Sequence, residues 1–508
     1  MLTLDKIYQA QYALKRVIRR TDLISAPNIN KSSQIYLKPE NLQVTGSFKV
    51  RGACFKISQL SEEERAHGVI ACSAGNHAQG VALAATAHGI KSLICLPDNA
   101  PISKVEATKS YGADVCLVEG VYDDAYKRAL ELRDAHNYTF IHPFDDEEVI
   151  AGQGTIGLEL LEQLPEVEAV IVPIGGGGLI SGVAYAVKNL NPRIKVYGVQ
   201  AAGAPSMLNA IEHGKIERLE KVRTIADGIA VKEPGVHTFD FCQQYVDEIV
   251  SVTEDEISTA ILALIEQHKL IAEGAGAVSV AAAMFEKVPI RGKKTICIVS
   301  GGNIDVTILS RVIGRGLQKS GRSCVMTIEL VDKPGQLQHV SEIIASTGAN
   351  VVSVHHERVS HTADINGCYL RLEMETRNLQ QINEIRQLLT VHGYKIVEGE
   401  KRKERIMFKR IKEFYNRYLA WINAYWLVTI VFLIVTLTVG DSSLYKRYTY
   451  DEKIRSLEKE IEHYQQEIEV NGKKLNDLHT DKEGLERFAR EEYFMKRANE
   501  DVFIIEED

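Results

Sequence analysis

The chain reads as an α/β protein of two open parallel sheets, followed by a βαββαβ module, an apolar span and a heptad helix. Three observations predict this. From residue 68 to 300, short apolar runs alternate with helical patterns, and several runs empty into glycine-rich or polar loops; parallel strands joined by crossover helices give that alternation. From residue 324 the order becomes strand, helix, strand, strand, helix, strand. Between Arg417 and Asp441 no residue is charged.

A length of 508 residues predicts several domains, and a net charge of -8 gives no reason to invoke nucleic acid. The N-terminus, Met1-Leu2-Thr3-Leu4-Asp5-Lys6, lacks a signal-peptide core. All eight cysteines precede the charge-free run and none forms a CxxC pair, so they read as reduced packing residues.

The first chemical signal is Thr45-Gly46-Ser47-Phe48-Lys49-Val50-Arg51-Gly52-Ala53. Lys49 opens a helical pattern that runs to Leu60. A lysine at a helix N-terminus meets the positive end of the dipole, which disfavours its charged form. Only a neutral amine attacks a carbonyl, so such a lysine suits Schiff-base chemistry. Taken alone it is weak, because most lysines are solvated charges.

Next comes Ser73-Ala74-Gly75-Asn76-His77, between a strand (68–72) and a helix (76–87). Its side chains and N–H groups could hold a carboxylate or a ring hydroxyl. An ordinary N-capping loop is the simpler account of this segment by itself. Strand signals follow at 91–96, 113–118 and 138–143.

The apolar run 168–174 then empties into Gly175, Gly176, Gly177 and Gly178, with a helix pattern from Leu179 to Leu190. Glycines between a strand and a helix let N–H groups converge on a phosphate at the helix N-terminus. A dinucleotide fingerprint fails on spacing, since its sixth position would be Ile180 or Ser181 and the next strand ends at Gln200, not an acid. A purely structural turn is the other alternative, at a cost in chain entropy. A third run, Ile296 to Val299, ends in Ser300-Gly301-Gly302-Asn303. Ligands in open α/β sheets bind beyond the carboxyl ends of strands, so these loops are expected to share one cleft.

These motifs together resemble the threonine ammonia-lyase family of fold-type II pyridoxal-phosphate enzymes, over residues 1 to about 320. The resemblance implies pyridoxal 5'-phosphate as cofactor, joined to Lys49, with its phosphate on Gly175, Gly176, Gly177 and Gly178. It places Phe48 against the cofactor ring, Asn76 at the ring oxygen and Ser300 at the ring nitrogen. Ser73, Gly75 and His77 are expected beside the substrate carboxylate. The implied reaction is dehydration and deamination of L-threonine, and of L-serine, the first step of isoleucine biosynthesis. Lys49 would remove the α-proton, and the cofactor phosphate would protonate the departing hydroxyl. A small domain at about 48–152 is implied to be inserted in the larger one and to move as a lid. Related serine racemases carry a second serine where this chain has Ala74, so elimination without racemisation is expected. A serine deaminase or a β-replacing synthase of the same fold type is the alternative, because one methyl group in a pocket discriminates by only about 1–3 kcal/mol.

Residues 324–400 resemble an ACT domain, whose Asp332-Lys333-Pro334-Gly335 turn lies where such domains bind an amino-acid effector. Isoleucine is the implied effector; an oligomerisation module without an effector is the alternative. His355 and His356 are adjacent on a strand and face opposite sides, so they make no metal pair, and no metal site is predicted.

A basic segment (401–418) precedes an apolar stretch at 419–440, with Trp421, Tyr425 and Trp426 at one border. About 20 apolar residues suffice for a transmembrane helix. The positive-inside rule puts the enzyme in the cytoplasm and the C-terminus across the membrane. Within 450–508, Ile454, Leu457, Ile461, Tyr464, Ile468, Asn471 and Leu475 keep 3-4 spacing, a coiled-coil seam. From about Met407 onward the order of span, coil and Ala489-Arg490-Glu491-Glu492-Tyr493 tail resembles the DivIC-like septum formation initiators. That resemblance implies divisome membrane partners, besides a homo-oligomer of the enzyme part. Met407 falls at the junction, so one fused chain and two joined neighbouring reading frames are both open. A divisome structural protein with an incidental enzyme half is the remaining alternative.

Overall fold

The computed structural model describes residues 1–357 and 367–397. The strands are β1 (Ile24–Ser25), β2 (Gln34–Pro39), β3 (Val69–Cys72), β4 (Ser92–Pro97), β5 (Asp114–Val118), β6 (Thr139–Phe140) and β7 (Ala169–Pro173). They continue as β8 (Lys195–Ala201), β9 (Glu248–Val252), β10 (Lys294–Val299), β11 (Ser323–Val331), β12 (Asn350–Glu357), β13 (Gly367–Glu375) and β14 (Lys395–Val397). They form three sheets. The largest has the order β1-β2-β10-β7-β8-β9 and is parallel except for the short edge strand β1. The second, β5-β4-β3-β6, is wholly parallel and lies in the chain between β2 and β7 of the first.

Parallel strands covered on both faces should be apolar throughout rather than alternating. β7 is buried at all five positions, and β10 at every position after Lys294. The expected strand at 138–143 is shorter in the structure, Thr139–Phe140. β6 pairs only with β3, at the sheet edge. The chain then leaves the ladder at Pro143, which has no N–H to donate to it.

The helix Lys49–Ser58 is held by ions rather than by a side-chain cap. Arg51, fully buried, donates from Nε to Glu40 at 2.8 Å and from Nη1 to Glu159 at 2.6 Å. Lys38 pairs with the same Glu159. Burial opposes the charge on Glu40, but Arg51 outweighs it and leaves the carboxyl below its usual range. This buried network joins the lysine-bearing helix to β2 and to the helix Glu147–Gln163, and so fixes where Lys49 begins.

The third sheet is antiparallel with the order β12-β13-β11-β14, and the helices Gln336–Ser346 and Leu379–Val391 complete a βαββαβ unit. β11 and β13 alternate strictly, burying Met326, Ile328, Leu370 and Leu372 against the helices. Among the described residues no helix is long and apolar enough to cross a membrane. The expected span at 419–440, the basic segment at 401–418 and the coiled coil at 450–508 lie outside the described residues.

Candidate active site

Four of the loops singled out from sequence meet at the carboxyl ends of the strands. Backbone bonds join the first and the fourth: Phe48 N–H donates to the Ser300 carbonyl at 3.0 Å, and Gly302 N–H to the Gly46 carbonyl at 2.9 Å. Asn303 Nδ2 ties in the second, donating to the Thr45 carbonyl at 2.8 Å and to Asn76 Oδ1 at 2.7 Å. The glycine loop is reached through Pro143 and Phe144. Lys49 Nζ donates to the Pro143 carbonyl at 2.7 Å. A methyl group on Gly178 would lie 2.8 Å from the Phe144 carbonyl.

The Lys49 amine has the required character, for a reason the sequence did not supply. Withdrawal from water is the main cause, and it brings the pKa down to about 8 against the opposing pull of Glu273. Lys49 is also the first residue of its helix, as the sequence pattern placed it. Phe48 is buried beside it, with the amine 5.3 Å from its ring centre.

The glycine loop bears donors with nothing to bond. The N–H groups of Gly175, Gly176 and Gly177 donate to no acceptor among the described residues. They stand at the N-terminus of the helix Gly178–Leu190, where orphan N–H groups and the dipole favour an anion. Gly177 has φ +101°, a conformation that side chains disfavour. The loop is braced from behind: Thr238 Oγ1 donates to the Gly176 carbonyl at 2.6 Å, and Asp145 accepts from Val236 and Thr238 N–H groups. A free amine and a row of unsatisfied N–H donors fit an aldehyde with an anionic tail, which is what pyridoxal 5'-phosphate carries.

The remaining predicted residues are placed as follows. Ser73 Oγ accepts from Gly75 N–H at 3.2 Å, and both are half-buried. His77 is buried, its Nε2 lies 2.9 Å from the Ile141 carbonyl, and its Nδ1 has no partner. Burial and the nearby Lys49 charge push His77 down to about 3, so it is neutral at any working pH. Ser300 Oγ donates to the Ala275 carbonyl at 3.2 Å.

Glu273 is the residue that sequence reasoning missed. It is 4% exposed, its Oε1 accepts from Asn76 Nδ2 at 2.6 Å, and burial, aided by Asp227, pushes it up to about 7. The available signal was a lone acid in a run of small residues, Ala272-Glu273-Gly274-Ala275-Gly276. A methyl group on Gly301 would lie 2.5 Å from the same Oε1, so the strand-end loop has room for this carboxyl only with glycine there.

Comparison with known proteins agrees with this geometry. Residues 14–302 match the family model of the pyridoxal-phosphate dependent enzymes, and residues 429–508 match that of the septum formation initiators. The chain is 50% identical over 398 residues to an L-threonine ammonia-lyase of Thermotoga maritima, covering 78% of this chain and 99% of that one. Among solved structures, maize serine racemase is 36% identical with a TM-score of 0.59, over 63% of this chain and 98% of that one. Threonine deaminase isoform 2 from Solanum lycopersicum, in processed form, is 38% identical with a TM-score of 0.58, over 62% and 89%. With the lysine, the anion loop and the fold in place, the chain belongs to the pyridoxal-phosphate dependent enzymes.

Proposed function

We propose that residues 1 to about 320 dehydrate and deaminate L-threonine, and L-serine, to the 2-oxo acid and ammonia. The observation that carries this reading is the amine of Lys49, at a pKa of about 8, linked through Pro143 and Phe144 to a loop of unsatisfied N–H groups. The identity to a threonine ammonia-lyase over almost that protein's full length supports the substrate class. When bound, the cofactor supplies an electron sink for the pair left on the α-carbon.

The chain's own residues do the rest. Gly175, Gly176 and Gly177 hold the phosphate through their N–H groups. Lys49 would hold the cofactor aldehyde and, as a free amine, would take the α-proton; its lowered pKa keeps a useful neutral fraction near pH 8. Asn76 cannot swing, because Glu273 and Asn303 hold its two ends, so its amide is a fixed hydrogen-bonding group at the ring. Ser73 Oγ, which accepts from the Gly75 N–H, would offer its hydroxyl to the substrate carboxylate, with neutral His77 in the same loop. Ser300, whose hydroxyl donates to the Ala275 carbonyl, would offer the ring nitrogen a neutral hydroxyl rather than a carboxylate, which would favour prompt loss of the β-hydroxyl. Loss of water and its return on hydrolysis balance the conversion of threonine to 2-oxobutanoate and ammonia.

Domain motion belongs to the same reading: the second sheet and its helices, within about 48–152, close over the substrate and exclude water. The βαββαβ unit is read as an ACT domain that binds an amino-acid effector, isoleucine, near the Asp332 turn. The support is its strand order and the product logic of the pathway. Residues 401–508 are read as a membrane anchor and an extracytoplasmic coiled coil that meets other divisome subunits. The septum formation initiator match at 429–508 supports that reading. The enzyme part would assemble as a homo-oligomer in the cytoplasm.

Turnover of threonine and serine by purified protein, with and without a thiol nucleophile, tests the enzyme reading. Elimination to 2-oxo acid that Lys49→Ala lowers by at least about a hundredfold supports it. A thioether product as the main outcome would point to a β-replacing synthase. Deleting 407–508 tests the other half: blocked septation with unchanged threonine turnover is expected. An immunoblot of native cells distinguishes one fused chain from two separate proteins.

A further inference from the structure

We propose that the βαββαβ unit carries a transition-metal site of zinc type, formed by Asp332, His356 and Cys368. One ligand atom from each lies within 4.8 Å of the others. The three come from separate parts of the unit: the turn after β11, the end of β12 and the start of β13. Register shows why they meet. His356 stands opposite Leu370, and Leu330 stands opposite Cys368. Opposed and alternate side chains share a face, so His356 lies on the same side of the sheet as Leu370 and Cys368, and Asp332, the first residue after β11, brings its carboxylate to them at that end of the sheet.

The chemistry of the trio suits a borderline metal. Thiolate, imidazole and carboxylate are the zinc donor set, and three protein ligands leave one position for water or a small ligand. His356 Nε2 lies 3.1 Å from Cys368 Sγ. Zinc bonds of about 2.3 Å to sulfur and about 2.0 Å to nitrogen set tetrahedral ligands about 3.6 Å apart, so an ion needs an opening of only a few tenths of an ångström. Cys368 is 1% exposed, a rigid anchor, while Asp332 and His356 are exposed and give the ion a way in. Because Asp332 opens the Asp332–Gly335 turn, an ion there would tie that turn to two strands. This site stands apart from Lys49 and its loops, so it survives or fails independently of the proposed enzyme activity.

The test uses the full chain, in detergent and with its cofactor bound, titrated with Co2+ and then back-titrated with Zn2+. The expected result is one tightly held Co2+ per chain, with a thiolate-to-cobalt charge-transfer band and tetrahedral d–d bands that Zn2+ abolishes. Cys368→Ser should remove the charge-transfer band. Asp332→Asn and His356→Gln, at exposed positions, should each weaken binding tenfold or more while circular dichroism and cofactor absorbance stay unchanged. Absence of a tetrahedral cobalt spectrum in the unsubstituted chain overturns the proposal. So does a charge-transfer band that persists in Cys368→Ser, or binding unaffected by the other two substitutions; the trio would then be a thiol–imidazole hydrogen bond beside a surface carboxylate.

Discussion

Glu273 Oε1 accepts a 2.6 Å hydrogen bond from Asn76 Nδ2 and lies close enough to influence the charge of Lys49. A buried carboxyl, a fixed amide and an amine with a lowered pKa therefore form one electrostatic unit. Glu273 in its anionic form favours the ammonium of Lys49, and so raises the amine pKa toward its ordinary value.

Removing that charge should shift Lys49 further down. Reaction of apoprotein with pyridoxal phosphate, followed against pH, is expected to rise with a midpoint near 8 in the unsubstituted protein. Glu273→Gln should move the midpoint to lower pH, because the neutral amine then needs less base to form. A midpoint that stays put or moves upward would disconnect Glu273 from the reactive amine.

Arg51 offers a stability test. Arg51→Met leaves Glu40 and Glu159 facing each other without the guanidinium that bonds both. Breaking a buried ion pair by deleting one member costs about 3–5 kcal/mol. Denaturant unfolding should show a loss of that size, and cofactor content should fall with it, since the network sets the position of the helix that begins at Lys49.

At the phosphate loop, Gly176→Ala drives a methyl group to 2.5 Å from the Phe144 ring. Overpacking of this kind costs about 1–3 kcal/mol. Cofactor affinity, measured by equilibrium absorbance, is expected to fall by about tenfold to a hundredfold while the fold persists. Unchanged affinity would mean that the loop does not hold the phosphate.

Ala74, half-buried in the Ser73–His77 loop, carries no group that can exchange a proton. Chiral analysis of the amino acid recovered during turnover should find D-serine or D-threonine forming far more slowly than the 2-oxo acid. Formation of the D-isomer at a comparable rate would require a second acid/base on the opposite face.

Elements carrying long apolar runs were legible in the sequence. The helix Asn76–Ala87 begins and ends where the pattern places it. The convergence of loops 45–49, 73–77 and 300–303 followed from their position at strand ends. Glu273 was not legible, because one acid among glycines and alanines acquires meaning only when tertiary packing buries it against Asn76. Arg51 appeared only as part of a motif; its partners Glu40 and Glu159 are 11 and 108 residues away. Strand alternation kept His355 and His356 apart, but it carries no information about Cys368 on the neighbouring strand.

The central claim is that Lys49 is the amine that carries the cofactor. Borohydride reduction of the purified, cofactor-loaded protein, followed by peptide mapping, tests it most directly. The account predicts a pyridoxyl group on Lys49 alone and no label in Lys49→Ala. A label on another lysine, or none at all, would contradict it.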